Sequence, residues 1–129
     1  MAEDTTKRIL VCDDDVSVVS FLTLFLKKNG FERIDVASCA KDALEKVKTT
    51  IYNLVLLDIR LPDMEGVLVL QRIKEINSKT DVIMMTGYPE METARQSLTL
   101  GAYDYIVKPF DLDYMRLAVL TKLLLQPES

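Results

Sequence analysis

The sequence predicts an α/β fold built on one doubly wound, five-stranded parallel sheet in the order 2-1-3-4-5. Three observations carry this expectation. Five short strand-like runs each stop at or beside a polar residue, and three of them (RILVCD, NLVLLD and DVIMMT) are almost wholly apolar up to that point. Between them the apolar positions change to helical spacing, and the alternation recurs five times at roughly 20–25-residue intervals. Runs that are apolar at every position need cover on both faces, which a parallel sheet obtains from its crossover helices. Right-handed crossovers then place all five strands in a single sheet.

The first strand is read at Arg8–Asp13 (RILVCD). Val18, Val19, Leu22, Phe25 and Leu26 then repeat at helical spacing over 16–29, and Asn29-Gly30 stops that helix. Arg33–Ala37 is a second strand, and Ser38 is the expected N-cap of a helix through Lys48 whose inner face is Ala40, Ala43, Leu44 and Val47. Asn53–Asp58 (NLVLLD) is the most strongly apolar run and should be central. After a loop containing Leu61-Pro62 and Gly66, a helix is expected over Glu65–Ile76, with Val69, Leu70 and Ile73 inward. Asp81–Thr86 (DVIMMT) is the fourth strand. Pro89 suits the first turn of a helix ending at Gly101, with Glu90 and Glu92 at its positive end. Tyr103–Lys108 is the fifth strand, and Asp111 should cap a last helix over Leu112–Leu125. The chain reads as one domain over 1–129, its core at about 8–125, with 126–129 a tail or the start of a linker.

Composition narrows the chemistry. The net charge of −4 is spread along the chain without a basic stripe, which argues against direct nucleic-acid contact. There is no histidine, so imidazole catalysis and His-metal sites are excluded. Any metal would be held by oxygen, which favours magnesium, calcium or manganese over zinc. Cys12 and Cys39 read as packing residues, and two cysteines without an apolar leader fit a reducing cytoplasm. No apolar run approaches membrane-spanning length.

Asp13, Asp14, Asp58, Thr86, Lys108 and Pro109 all fall at or just past strand ends. In the predicted strand order the first and third strands are neighbours, so Asp13, Asp14 and Asp58 meet where ligands bind in open α/β sheets. Clustered carboxylates repel, and a divalent cation removes that penalty. Magnesium takes few carboxylates and leaves coordination for phosphate oxygens. A carboxylate nucleophile beside a fixed lysine suits phosphoryl transfer through an aspartyl phosphate. Taken singly, each residue has an ordinary structural role. For Asp15 and Asp63 capping or solvent exposure is the preferred reading, whereas capping accounts for only one member of the Asp13-Asp14 pair.

With these residues in view, the sequence resembles the receiver domain of two-component response regulators. The likeness rests on ILVCDDD at Ile9–Asp15, LVLLDIRLPDMEG at Leu54–Gly66, VIMMTG at Val82–Gly87 and GAYDYIVKPF at Gly101–Phe110. The resemblance implies a flavodoxin-like (βα)5 fold and specific roles. Asp58 corresponds to the phosphoacceptor. Asp14 corresponds to the direct magnesium ligand, Asp13 to one acting through water, and the backbone carbonyl of Arg60 to a further ligand; manganese is the alternative ion. Thr86 and Lys108 correspond to the groups that hold the phosphoryl oxygens, and the Lys108–Pro109 bond to a cis peptide. Tyr105 falls at the aromatic switch position that moves with Thr86. Arg60 and Tyr88 fall where side chains tune dephosphorylation, and their size implies slow autohydrolysis.

The same resemblance implies a histidine kinase or phosphotransfer protein as phosphoryl donor, and a domain that catalyses its own phosphorylation and dephosphorylation. Its readout face would be Glu90–Leu100, Tyr103–Val107 and Leu112–Leu125, meeting an output domain, a partner protein or, once phosphorylated, a second copy. The final segment is similar to receivers attached to ATPase-type transcription activators. Two other readings stand beside this one. Asp13-Asp14-Asp15-Val16 fits the D-x-D-x-[TV] motif of haloacid dehalogenase-type phosphatases, with Asp13 as nucleophile and Asp15 as acid/base. A receiver that only mediates protein contacts is the other.

Overall fold

A computed structural model describes residues 6–87, 96–108 and 110–125. The strands are β1 (Arg8–Cys12), β2 (Arg33–Ala37), β3 (Leu54–Asp58), β4 (Asp81–Thr86) and β5 (Asp104–Val107). All pair in parallel, in the order β2-β1-β3-β4-β5. The helices α1 (Val16–Lys28), α2 (Ala40–Thr49) and α3 (Gly66–Ile76) connect them, and a C-terminal helix follows β5. Residues 96–99 form a helical turn before Gly101. The expected helix start at Pro89, Glu90 and Glu92, together with Tyr88, Pro109 and the tail at 126–129, lies outside the described residues.

The apolar runs are covered on both sides, as their composition requires. Leu10, Cys12, Val55, Leu57, Val82 and Met84 face α2 and α3, where Ala40, Ala43, Leu44, Val69, Leu70 and Ile73 meet them. The alternate residues Ile9, Val11, Leu54, Leu56, Ile83 and Met85 face α1 and the C-terminal helix, against Leu22, Phe25, Leu26, Met115, Val119 and Leu123. All five residues of β3 are buried, so it is the central strand that its hydrophobicity predicts. Each large side chain removed from water here contributes roughly 1.5–3 kcal/mol before entropy is charged.

The helix ends show where local pattern suffices. Gly30 adopts φ 95°, a left-handed conformation that glycine takes without Cβ strain. Its amide bonds Lys27 O, the Phe31 amide bonds Leu26 O (3.1 Å each), and Phe31 is buried beside Leu26. This is a Schellman ending, signalled by Asn29-Gly30.

Two expectations differ from the structure. Ser38 is not the cap of α2. The N-cap residue is Cys39, and its side chain makes no capping bond. The last helix has the expected extent but is divided into an α-helical turn (Leu112–Met115), a π-helical stretch (Arg116–Leu120) and a final α segment (Thr121–Leu125). A one-residue change in hydrogen-bond span leaves no mark on the apolar pattern, since Met115, Ala118, Val119 and Leu123 remain buried.

An acidic pocket at the carboxyl edge of the sheet

β1 leads to β2 by one crossover while β3 lies on its other side, so a crevice opens at the carboxyl ends of β1 and β3. Asp13 sits at the tip of β1. Its amide bonds Ala37 O at 3.1 Å, continuing the ladder one residue past the strand. Its carboxylate is buried and accepts the Asp15 amide at 2.9 Å. Asp14 is exposed on the rim, and Asp58 is buried at the end of β3. One oxygen from each of Asp13, Asp14 and Asp58 lies within 4.8 Å of the others.

Lys108 reaches into this cluster from the residue after β5. Its Nζ is 2.8 Å from Asp13 Oδ2 and 3.5 Å from Asp58 Oδ2. Its backbone amide bonds Thr86 O at 2.7 Å, which ties its position to the end of β4. Thr86 is itself buried at that edge. Tyr105 lies on β5, half-buried and packed against the core on the α2–α3 side. Arg60 is exposed in the loop after β3, and its amide donates to Asp58 Oδ1 at 3.2 Å.

The electrostatics fit a hard divalent cation. Burial is the main influence that pushes the Asp58 carboxyl up to about 6, with the neighbouring Asp13 adding repulsion; the Arg60 amide and Lys108 oppose the rise. For Lys108 burial favours the neutral amine, but the bond to Asp13 and attraction to Asp58 outweigh it and hold the pKa above its usual value. One lysine among three carboxylates leaves net negative charge, and all the donors are oxygens, the set that magnesium or manganese prefers. Cys12, next to Asp13, is pushed up to about 12, chiefly by burial, and is an inert packing thiol.

Asp15 and Asp63 are both capping residues, one locally and one at a distance. Asp15 caps α1 through the Ser17 amide at 2.9 Å. Asp63, in the β3–α3 loop, accepts the Ala40 amide at 2.8 Å and the Lys41 amide at 3.0 Å, and so caps α2. Those amides pull its carboxyl below the usual range. Nothing in the local sequence marks this connection, which spans 22 or 23 residues.

Gly66, at the junction of this loop and α3, is fixed by the strand end as well. Its amide bonds Ile59 O at 2.6 Å, closing the loop onto the strand end. A Cβ at this position would collide with the Asp58 carbonyl oxygen and lie 2.7 Å from Ile59 Cα. Both obstacles are backbone, so the loop itself would have to move. Gly66→Ala should cost roughly 1–3 kcal/mol or more in urea denaturation, by overpacking at a site that cannot relax.

Comparison with known proteins gives this edge its context. The family described as response regulator receiver domain matches residues 9–120. The transcriptional regulatory protein ZraR of Escherichia coli is 39% identical over 121 residues, covering 94% of this chain and 27% of ZraR. The regulatory protein AtoC of Escherichia coli is 40% identical over 119 residues, covering 92% of this chain and 26% of AtoC. The chain thus spans about a quarter of the length of these curated relatives. Among solved structures, a CheY-like receiver domain protein from Methanospirillum hungatei superposes with a TM-score of 0.85 at 36% identity, covering 91% of this chain and 93% of that one. With its sheet order, its acidic edge and these likenesses together, the chain belongs to the receiver domains of two-component response regulators.

Proposed function

We propose that Asp58 is the phosphoacceptor of this receiver and that Asp13, Asp14, Asp58 and the Arg60 carbonyl bind the divalent cation. The observation that carries the reading is the meeting of three carboxylates within 4.8 Å, with Lys108 Nζ beside two of them. When bound, magnesium (or manganese) neutralises the carboxylates and the charge on the phosphoryl oxygens.

The chain's own groups do the rest. The Asp58 carboxylate attacks phosphorus in line, a P–O bond forms, and the P–N bond to the donor histidine breaks with its electron pair leaving on the imidazole nitrogen. Lys108 Nζ and the Thr86 hydroxyl hold the phosphoryl oxygens. The sheet edge fixes these groups before the donor arrives, so positioning and charge stabilisation are local to the receiver. The donor is a histidine kinase or phosphotransfer protein acting in the cytoplasm.

Once Asp58 is phosphorylated, Thr86 is drawn to the new oxygens and Tyr105 on the adjacent strand responds. The charge biases a two-state equilibrium. The readout falls on the face of β5 and the C-terminal helix, where Tyr103, Val107, Leu112, Tyr114 and Leu117 are exposed. An output domain, a partner protein or a second copy would meet that face. Arg60, with Tyr88, would slow hydrolysis of the phosphoryl group. Residues of about 8–125 would form the receiver core. The phosphatase alternative finds no support: the Asp15 carboxylate is engaged in capping α1.

The test is to incubate the protein with magnesium and acetyl phosphate, reduce the acyl phosphate with borohydride and map the modified residue. Modification at Asp58 is the expected result. Modification at Asp13 would transfer the nucleophile to the phosphatase-like position and overturn the assignment.

A further inference from the structure

We infer that Asp63 is a positioning residue: by clasping the amino end of α2 it fixes the β3–α3 loop, and with it the oxygen donors around Asp58. This rests on the phosphoacceptor and cation assignment proposed above.

The clasp is two-handed. Asp63 Oδ1 takes the Ala40 amide at 2.8 Å and Oδ2 takes the Lys41 amide at 3.0 Å. Both are charge-assisted bonds at the positive end of a helix, where a carboxylate is most stabilising. The helix has no competing cap, because the Cys39 side chain makes no capping bond. Local sequence usually provides this bond, through Ser, Thr, Asp or Asn at the N-cap. In this chain it comes from the loop that carries the candidate site.

That loop is otherwise held near its base. The Gly66 amide bonds Ile59 O at 2.6 Å, and an isolated bridge pairs Arg60 with Glu65. The Arg60 amide bonds Asp58 Oδ1 at 3.2 Å. Asp63 is the tip, and its clasp joins that tip to a second element of the sheet's cover. Arg60 is held at the base through its amide and the Glu65 bridge, while its carbonyl, assigned to the cation, belongs to the peptide bond that leads on to the tip. A loop fixed at both places presents that carbonyl and Asp58 in one geometry. A loop fixed only at its base leaves the carbonyl a range of directions, and part of the cation's binding energy then goes to ordering it. Partners that orient ligands in this way commonly change metal affinity by 10–100-fold.

A simple cap predicts something different: loss of α2 stability with no change at the site. Three forms separate the two. Asp63→Ala removes the clasp. Asp63→Ala combined with Cys39→Ser removes the clasp but gives α2 a cap of its own. Asp63→Asn keeps an acceptor oxygen without the charge. Magnesium binding is measured by calorimetry well below the melting temperature, on protein whose circular dichroism matches wild type. Acetyl phosphate labelling is followed at low and at saturating magnesium.

The clasp predicts a dissociation constant raised roughly tenfold in Asp63→Ala. Labelling should be slowed at low magnesium and largely recovered at saturation. Asp63→Asn should lie between Asp63→Ala and wild type. The double variant should regain melting temperature while its magnesium affinity stays weak. Wild-type affinity in Asp63→Ala, or affinity that returns with melting temperature in the double variant, would show a cap and nothing more. A wild-type protein that neither binds magnesium nor labels at Asp58 would remove the phosphoacceptor reading itself, and this inference with it.

Discussion

Asp58→Asn should abolish labelling by acetyl phosphate and, in metal-free buffer above pH 6, make the fold more stable than wild type. The first effect follows from the loss of the nucleophilic carboxylate. Labelling at the wild-type rate would refute Asp58 as the acceptor. The second effect follows from the cost of the charge. Asp58 is buried beside the Asp13 carboxylate and its pKa is pushed from 3.8 up to about 6, with burial the larger cause. Between those two values the folded chain retains a proton that the unfolded chain has released, so stability from this group falls as pH rises through that window. Above about pH 6 the penalty is complete. Asparagine is similar in size and never charges. Its advantage should be about 1–3 kcal/mol at pH 7.5 and should vanish at about pH 3, below the window. Urea denaturation at the two pH values measures it. Magnesium should stabilise wild type more than the variant, because the ion relieves a repulsion that the variant has already lost.

Lys108→Met should have the opposite effect on stability. Among the described residues the lysine is the cation within reach of Asp13 and Asp58, at 2.8 and 3.5 Å, and the Asp13 side chain is wholly buried. Methionine keeps the length of the side chain but leaves the two carboxylates facing each other. Removing one partner of a buried ion pair typically costs about 3–5 kcal/mol, since the remaining charge has neither water nor a counter-ion. Metal-free denaturation should show a loss of that order, and magnesium should restore part of it by neutralising the same oxygens. Labelling at saturating magnesium should fall about 100-fold, the scale of losing one preorganised group on a developing charge. Stability unchanged without metal would mean that the contact with Asp13 contributes little; labelling unchanged would remove Lys108 from the phosphoryl site.

The two variants also separate structure from chemistry at one site. Asp58→Asn should fold better and fail to react. Lys108→Met should fold worse and react slowly. A site built only for stability would not place a carboxylate where neutralising it helps the fold. That cost is tolerated where charge is needed for function.

Much of this arrangement was legible in the residue order. The five strands and the helices within the described residues follow from the change between continuous and 3.6-residue apolar spacing, a property of neighbours in the chain. Asp13, Asp14, Asp58, Thr86 and Lys108 could be placed together because each stands at the end of such a run, and strand order converts four separate ends into one edge. The Asn29-Gly30 stop worked for the same reason, since a left-handed residue after a helix is a local demand. Ser38 marks the limit of such local signals: it has the right side chain next to the right segment, yet Cys39 is the N-cap residue and the capping bonds come from Asp63. The π-helical stretch at Arg116–Leu120 was equally silent, because the buried positions do not change.

The sequence by itself determined the alternation of strands and helices, the faces they bury and the residue types gathered at the carboxyl edge, because these depend on periodicity and on the chemistry of single side chains. Only the tertiary structure decided which polar groups satisfy one another across that edge: Lys108 on Asp13, Asp63 on α2, and Gly66 held against the end of β3. Such pairings depend on distances set by packed layers, and a carboxylate has many possible donors until packing fixes which ones it meets.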